Sequence, residues 1–140
     1  MGMTGLQTFD QSLEVTKGWL KILQEEIHFE DQNDTYHALT AVLHALRDRL
    51  TVDQSAHLAA QLPLLLKGSF FDQWRPAGKP LKYNSEEAFL DRVNEGLSNP
   101  QWNPLRISIA VFDLLNKKIS EGEINKVKHT LPPEIEKLWP

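Results

Sequence analysis

Residues 41–63 read AVLHALRDRLTVDQSAHLAAQLP, and residues 110–132 repeat their pattern as AVFDLLNKKISEGEINKVKHTLP. The two stretches lie 69 positions apart and share five of their 23 residues. In each, apolar residues recur with helical spacing up to a Thr or Ser that can cap a new helix, and a Leu-Pro pair ends the segment. Matching caps, stops and apolar stripes in one order predict a tandem duplication of a helical unit.

The repeated pattern extends over most of the chain, because a shift of 70 also aligns the apolar stripe of the first helix with residues 89–97. We therefore predict a single domain, residues 1–140, built of two repeats at about 9–74 and 85–139. Residues 75–84 contain prolines and a glycine and form the predicted linker. Units of this size bury little surface alone, so we expect an all-α fold in which two pseudo-symmetric repeats pack as one compact bundle.

Caps and prolines predict the helix boundaries in the first half. A first helix is expected to begin near Thr8, which precedes a Gln by the three residues of a capping box. A second helix is expected from about Thr35 to Leu50. Thr51 is expected to cap a third helix that ends before Pro63.

The second half shows the corresponding signals. A helix is predicted from Ser85 to Leu97, followed by a break at Asn99-Pro100. Asn103 is expected to cap the next helix, with Pro104 at its favoured first position. Ser120 is expected to cap another, and a short last helix follows Pro132-Pro133.

Composition excludes several classes of protein. The chain has no Cys, so it cannot form disulfides, thiolate metal sites or a thiol nucleophile. Its net charge of −4 gives no long-range attraction for nucleic acid or an anionic membrane. We expect no membrane segment, no nucleic-acid partner, no cofactor and a cytoplasmic location.

Two further segments carry a family resemblance. They are LPLLLKGSFFDQW at residues 62–74 and LPPEIEKLW at residues 131–139, read with Ala41-Val42, Leu46, Leu50-Thr51 and residues 119–123. Together they resemble the bacterial family called domain of unknown function 2267, from about Phe9 to Trp139. The resemblance implies a small, helical, internally duplicated protein. It implies no activity and no functional residue.

Metal ligation has weak candidates. Glu25 and His28 have the Glu-x-x-His spacing of helical dinuclear sites, and Asp34 and His37 repeat it with Asp. A dinuclear site needs further ligands on separate helices, and the second repeat has neither His, so a solvated acidic turn is favoured. His37 and His44 share a helix face that we expect to be exposed, together with Asp48. We therefore predict no metal site.

Aromatic residues near the connecting segments form the candidate binding set: Phe70, Phe71, Trp74, Tyr83 and Trp102. They lie where an interaction surface would be useful. The competing interpretation is that these rings close the ends of the core, and it is favoured.

Charged motifs indicate no chemistry. Arg47 and Arg49, with Lys117 and Lys118 in the second repeat, are expected to complement helix C-termini. No nucleophile elbow or phosphate-binding glycine loop is present. The leading hypothesis is a non-enzymatic protein that acts by protein–protein interaction or self-association. The alternative is a binder of a small apolar ligand or metal ion in the cleft between the repeats.

Overall fold

The computed structural model describes residues 2–140. Across that range it contains helices and no strands, which confirms the all-α prediction. The eight helices are α1 (Gln7–Ile27), α2 (Gln32–Arg49), α3 (Val52–Ala59), α4 (Leu64–Phe71), α5 (Glu86–Gly96), α6 (Pro104–Lys118), α7 (Glu121–Thr130) and α8 (Pro133–Glu136). None of the helices in this part of the chain is long and apolar enough to cross a membrane.

Side-chain caps begin α3, α5, α6 and α7. Those of α3, α6 and α7 confirm the prediction, whereas the sequence predicted for α5 a helix from Ser85 but no cap. The Thr51 hydroxyl accepts a hydrogen bond from the Gln54 amide at 3.0 Å. The Ser120 hydroxyl accepts one from the Glu123 amide at 3.3 Å. Ser85 caps α5, and Asn103 caps α6 ahead of Pro104. Each cap satisfies a backbone donor that the first turn of a helix leaves unpaired.

Helix α1 starts within one residue of the predicted position, but its predicted cap is wrong, and the start of α2 differs from the prediction. Thr8 lies inside α1, whose N-cap is Leu6 and has no side-chain cap. Helix α2 begins three residues before Thr35, because Asp31 accepts hydrogen bonds from the amides of Asn33 and Asp34. A carboxylate at the positive end of a helix is a stronger start signal than the threonine that follows it.

The helices of the two halves share one core. In the first half, α1 packs on α2, α4 and α6, and α2 packs on α4, α5 and α6. Helices α2 and α5 run antiparallel, since Asp48 contacts Arg92 and Ala41 lies against Gly96. Leu46 and Leu115 are both fully buried. The chain therefore forms a single apolar cluster, because each half supplies helices that cover the other.

The segment between α4 and α5, residues 72–85, is the connector. The Leu81 amide donates to the Asp48 carbonyl at 2.8 Å, which holds the connector against the end of α2. At the C-terminus, Trp139 stacks on Phe112 with ring centroids 4.3 Å apart. Trp139 is 6% exposed and closes that end of the core.

Candidate functional site

Three of the five candidate aromatic residues lie together at the end of α4. The ring centroids of Phe70 and Phe71 are 5.2 Å apart, and those of Phe71 and Trp74 are 5.0 Å apart. Phe70 is completely buried, whereas Phe71 and Trp74 are partly exposed. Only the latter two rings could touch a partner.

The other two candidate rings lie elsewhere. Trp102 packs against Phe29 with centroids 4.8 Å apart, between the ends of α1 and α6. Tyr83 lies in the connector, with the Arg49 guanidinium 6.0 Å from its ring centroid. Burial raises the pKa of the Tyr83 hydroxyl to about 12. Both rings are partly buried against the core, and neither stacks on the α4 group.

The weak metal candidates are dispersed. Glu25, His28 and His37 are exposed, and His28 lies beyond the end of α1 in the left-handed conformation, so it leaves the face that carries Glu25. His44 was expected to be exposed but is partly buried, with Nε2 2.7 Å from the Ser69 carbonyl oxygen. Within residues 2–140, no group of three His, Asp or Glu side chains could hold a metal ion.

A buried charge cluster joins α2, α5 and the connector. Asp48 binds Arg47 Nε at 2.8 Å through one carboxylate oxygen and Arg92 Nη2 at 3.0 Å through the other. Arg47 Nη1 also donates to the carbonyls of Phe70 and Asp72, at 2.8 and 2.9 Å. Asp48 is therefore buried, so its predicted place on an exposed face is wrong, and Arg47 does more than complement a helix end. The end of α4 and the connector cover that side of α2.

Arg49 holds the second part of the connector. Its Nε donates to the Tyr83 carbonyl at 2.8 Å and its Nη2 to the Asn84 side-chain oxygen at 3.2 Å. Both arginines in the last turn of α2 therefore bind specific oxygens across the fold. Sequence spacing offers no signal for such partners, which lie 23 to 35 positions away.

An exposed apolar surface lies at the start of α1. We call residues 6–15 the α1 overhang, because Thr16 is the first buried residue of that helix. Leu6, Phe9 and Val15 are 55%, 50% and 50% exposed. Leu6, Phe9 and Leu13 recur with helical spacing, on the same stripe that carries Leu20 into the core. The core-facing stripe thus continues beyond the core.

The overhang is an ordered helix. The Thr4 hydroxyl donates to the Asp10 carboxylate at 2.7 Å, and the Thr4 amide donates to it at 3.0 Å. The Asp10 amide donates to the Leu6 carbonyl at 2.9 Å. Local bonds therefore hold the apolar stripe in shape, although Leu6 and Phe9 are each about half-exposed.

A shallow depression of about 350 Å³ lies where α1 meets α6, and so between the two halves. Its lining residues are Glu26, Asn103, Leu105, Arg106, Ile109 and Ala110. Burial raises the pKa of Glu26, and a hydrogen bond from its carboxyl group to Asp113 raises it further. Asp113 in turn binds Lys117 at 3.0 Å. This acidic pair links the two helices.

The chain matches a protein-family model described as "Uncharacterized conserved protein (DUF2267)" over residues 16–138. A search of curated proteins finds no match. The matched region starts at Thr16, where α1 enters the core, so the α1 overhang lies outside it. Since the match spans most of the 140 residues, the chain belongs to the DUF2267 family of uncharacterised conserved proteins.

Proposed function

We propose that this protein acts by self-association through the α1 overhang and has no enzymatic role. The observation that carries the proposal is the ordered apolar stripe of Leu6, Phe9 and Leu13. A stripe of this kind gains about 25 cal/mol for each Å² of apolar surface that a partner removes from water. Half-exposed Leu and Phe side chains on an already formed helix can supply that surface without further ordering of the backbone.

The spacing of the stripe favours a second copy as the partner. Leu6 lies three residues before Phe9, and Leu13 lies four residues after it. Two such helices packed antiparallel about a twofold axis near Phe9 would bring Leu6 of one copy opposite Leu13 of the other. An isologous contact of this type is the commonest arrangement in soluble oligomers.

Sedimentation equilibrium of the full chain tests the proposal. The wild-type protein is expected to dimerise, and Leu6→Glu or Phe9→Glu should weaken the dimer at least about tenfold, because a buried charge opposes the contact. Leu64→Glu is a matched control, since Leu64 is 53% exposed on α4 and Leu6 is 55% exposed. The control should dimerise like the wild type.

A protein that stays monomeric up to about 1 mM contradicts self-association, as that limit corresponds to about −4 kcal/mol of binding free energy. If Leu64→Glu weakened the dimer as much as Leu6→Glu does, the contact could not be assigned to the α1 overhang. Circular dichroism of each variant shows whether its helices are retained, so a loss of folding is distinguished from a loss of contact.

We infer in addition that the two halves are repeated copies. The helix contacts support this. If α1 is equivalent to α5 and α2 to α6, the packing of α1 on α6 is equivalent to the packing of α5 on α2, and both contacts are present. Gln54 Nε2 donates to Glu123 Oε2 at 2.6 Å across a separation of 69 positions, the same shift that aligns the two sequences. A contact between equivalent residues is expected near a twofold axis, so this hydrogen bond supports the proposed duplication. The cytoplasmic location and the cleft-binding alternative stay predictions.

A further inference from the structure

Three cationic side chains line a depression of about 500 Å³ beside the connector. They are Arg49, Lys79 and Lys82, and the rest of the lining comes from Gly78, Pro80, Leu81 and Asn84. In the part of the chain that the structure describes, none of the three cations belongs to an ion pair. The cluster is therefore locally cationic, although the chain as a whole carries a net charge of −4.

The arginine in this cluster is held in place. The hydrogen bonds of Arg49 to Tyr83 and Asn84 use its Nε and Nη2, and they orient the planar guanidinium. Within residues 2–140, its Nη1 has no hydrogen-bond partner. A positioned guanidinium with free N–H groups binds an anion at a smaller entropic cost than a mobile one.

The wall of the depression is also fixed. The Leu81 amide bonds to the Asp48 carbonyl, and the Lys79 amide bonds to the Pro76 carbonyl at 3.3 Å.

Two acids lie near the depression. The Asp48 carboxylate engages Arg47 and Arg92, so its charge is already compensated. Glu134 lines a separate depression that also touches Arg49, and its Oε1 accepts a hydrogen bond from the Glu86 amide.

We propose that this depression binds the phosphate group of a small molecule. A phosphate monoester carries about −1.5 to −2 charges at pH 7, which suits three cations better than a single carboxylate does. Its oxygens match the forked N–H groups of arginine. A volume of about 500 Å³ is within the range of small-molecule sites. The site uses no residue of the α1 overhang, so the proposal is independent of self-association.

The test is a titration of the ¹⁵N-labelled full chain with pyrophosphate at constant ionic strength, followed by amide chemical shifts. Saturable shifts are expected at residues 78–84. In the double variant Lys79→Ala/Lys82→Ala, the apparent dissociation constant should rise at least about tenfold. Lys17→Ala/Lys21→Ala is the control, because it removes two exposed cations of α1 and changes the net charge equally. The control should bind like the wild type.

Three results would overturn the assignment. They are shifts that do not saturate, shifts of equal size around all surface lysines, and a double variant that binds as tightly as the control. A parallel titration with citrate tests whether the depression prefers phosphate groups to carboxylates. Tighter binding of citrate than of pyrophosphate would contradict the preference for phosphate.

Discussion

Asp48 connects three parts of the molecule through two arginines. Its carboxylate is nearly inaccessible to solvent and compensates Arg47, whose side chain is 5% exposed. Arg47 also binds two carbonyls at the end of α4. Removing one member of such a buried pair leaves an uncompensated charge, which costs more than the pair itself contributes.

Asp48→Ala should therefore lower the free energy of unfolding by about 3–5 kcal/mol. Urea denaturation monitored by circular dichroism measures the change. Asp91→Ala is the control, since Asp91 is an exposed acid that precedes Arg92 in α5, and its loss should cost less than about 0.5 kcal/mol. Equal effects of the two substitutions would show that Asp48 has no special role.

Glu26 should make stability depend on pH. Its pKa is raised above 4.5 in the folded protein, first by burial and then by Asp113, so folding favours the protonated carboxyl group. This contribution is complete below pH 4.5 and is lost as the pH rises through the raised value. Glu26→Gln, which stays neutral, should be more stable than the wild type at pH 7, and the difference should disappear towards pH 4. Thermal melts across this range measure it.

The neighbouring acid supplies a control for this experiment. Glu25 is exposed on the same helix, so Glu25→Gln should leave the pH dependence of the melting temperature as it is in the wild type. A parallel change in both variants would indicate a general effect of net charge, and would contradict the assignment to Glu26.

Among the elements, α1 and α5, which the proposed duplication would make equivalent, differ in length. Helix α1 has 21 residues and α5 has 11, and the difference lies in the overhang. The two helices also use glycine differently. A Cβ atom on Gly96 would lie 3.0 Å from the Cβ of Ala41, whereas one on Gly18 would meet nothing within 4 Å. The glycine in α5 therefore leaves room for the close approach of α2.

Gly96→Ala should destabilise the protein by about 1 kcal/mol, because the cost of crowding Ala41 exceeds the gain in helix propensity. Gly18→Ala should instead stabilise it by up to about 1 kcal/mol, since the helix gains and no neighbour is displaced. Chemical denaturation of both variants measures the two changes in the free energy of unfolding, which should have opposite signs. A gain from Gly96→Ala would contradict the close packing of α2 on α5.

At the scale of the whole molecule, helix class and most caps could be predicted from sequence because both depend on neighbours a few positions away. Thr51, Asn103 and Ser120 cap the predicted helices for this reason. The exposure of Asp48 could not be predicted from its own helix, since the connector that covers it lies some 30 residues further on. Long-range packing also places the five candidate aromatic residues in three separate parts of the fold, which their positions in the sequence do not indicate.

The shared core predicts equal effects in both halves. Leu46 and Leu115 are both 0% exposed and belong to the same cluster. Leu46→Ala and Leu115→Ala should each cost about 2–5 kcal/mol and should each keep a single unfolding transition. Calorimetry provides the measurement. Two separate transitions in either variant would show that the halves unfold independently.

Helices of the first half are covered by helices of the second half, and this affects folding during synthesis on the ribosome. Helices α1 and α2 emerge first, yet α5 and α6, which cover them, are complete only at Lys118. At a synthesis rate of about 5–20 residues per second, the time between completion of α4 and completion of α6 is roughly 2–10 seconds. During that time the nascent chain presents leucines that the finished protein hides, so we expect it to be a client of ribosome-associated chaperones.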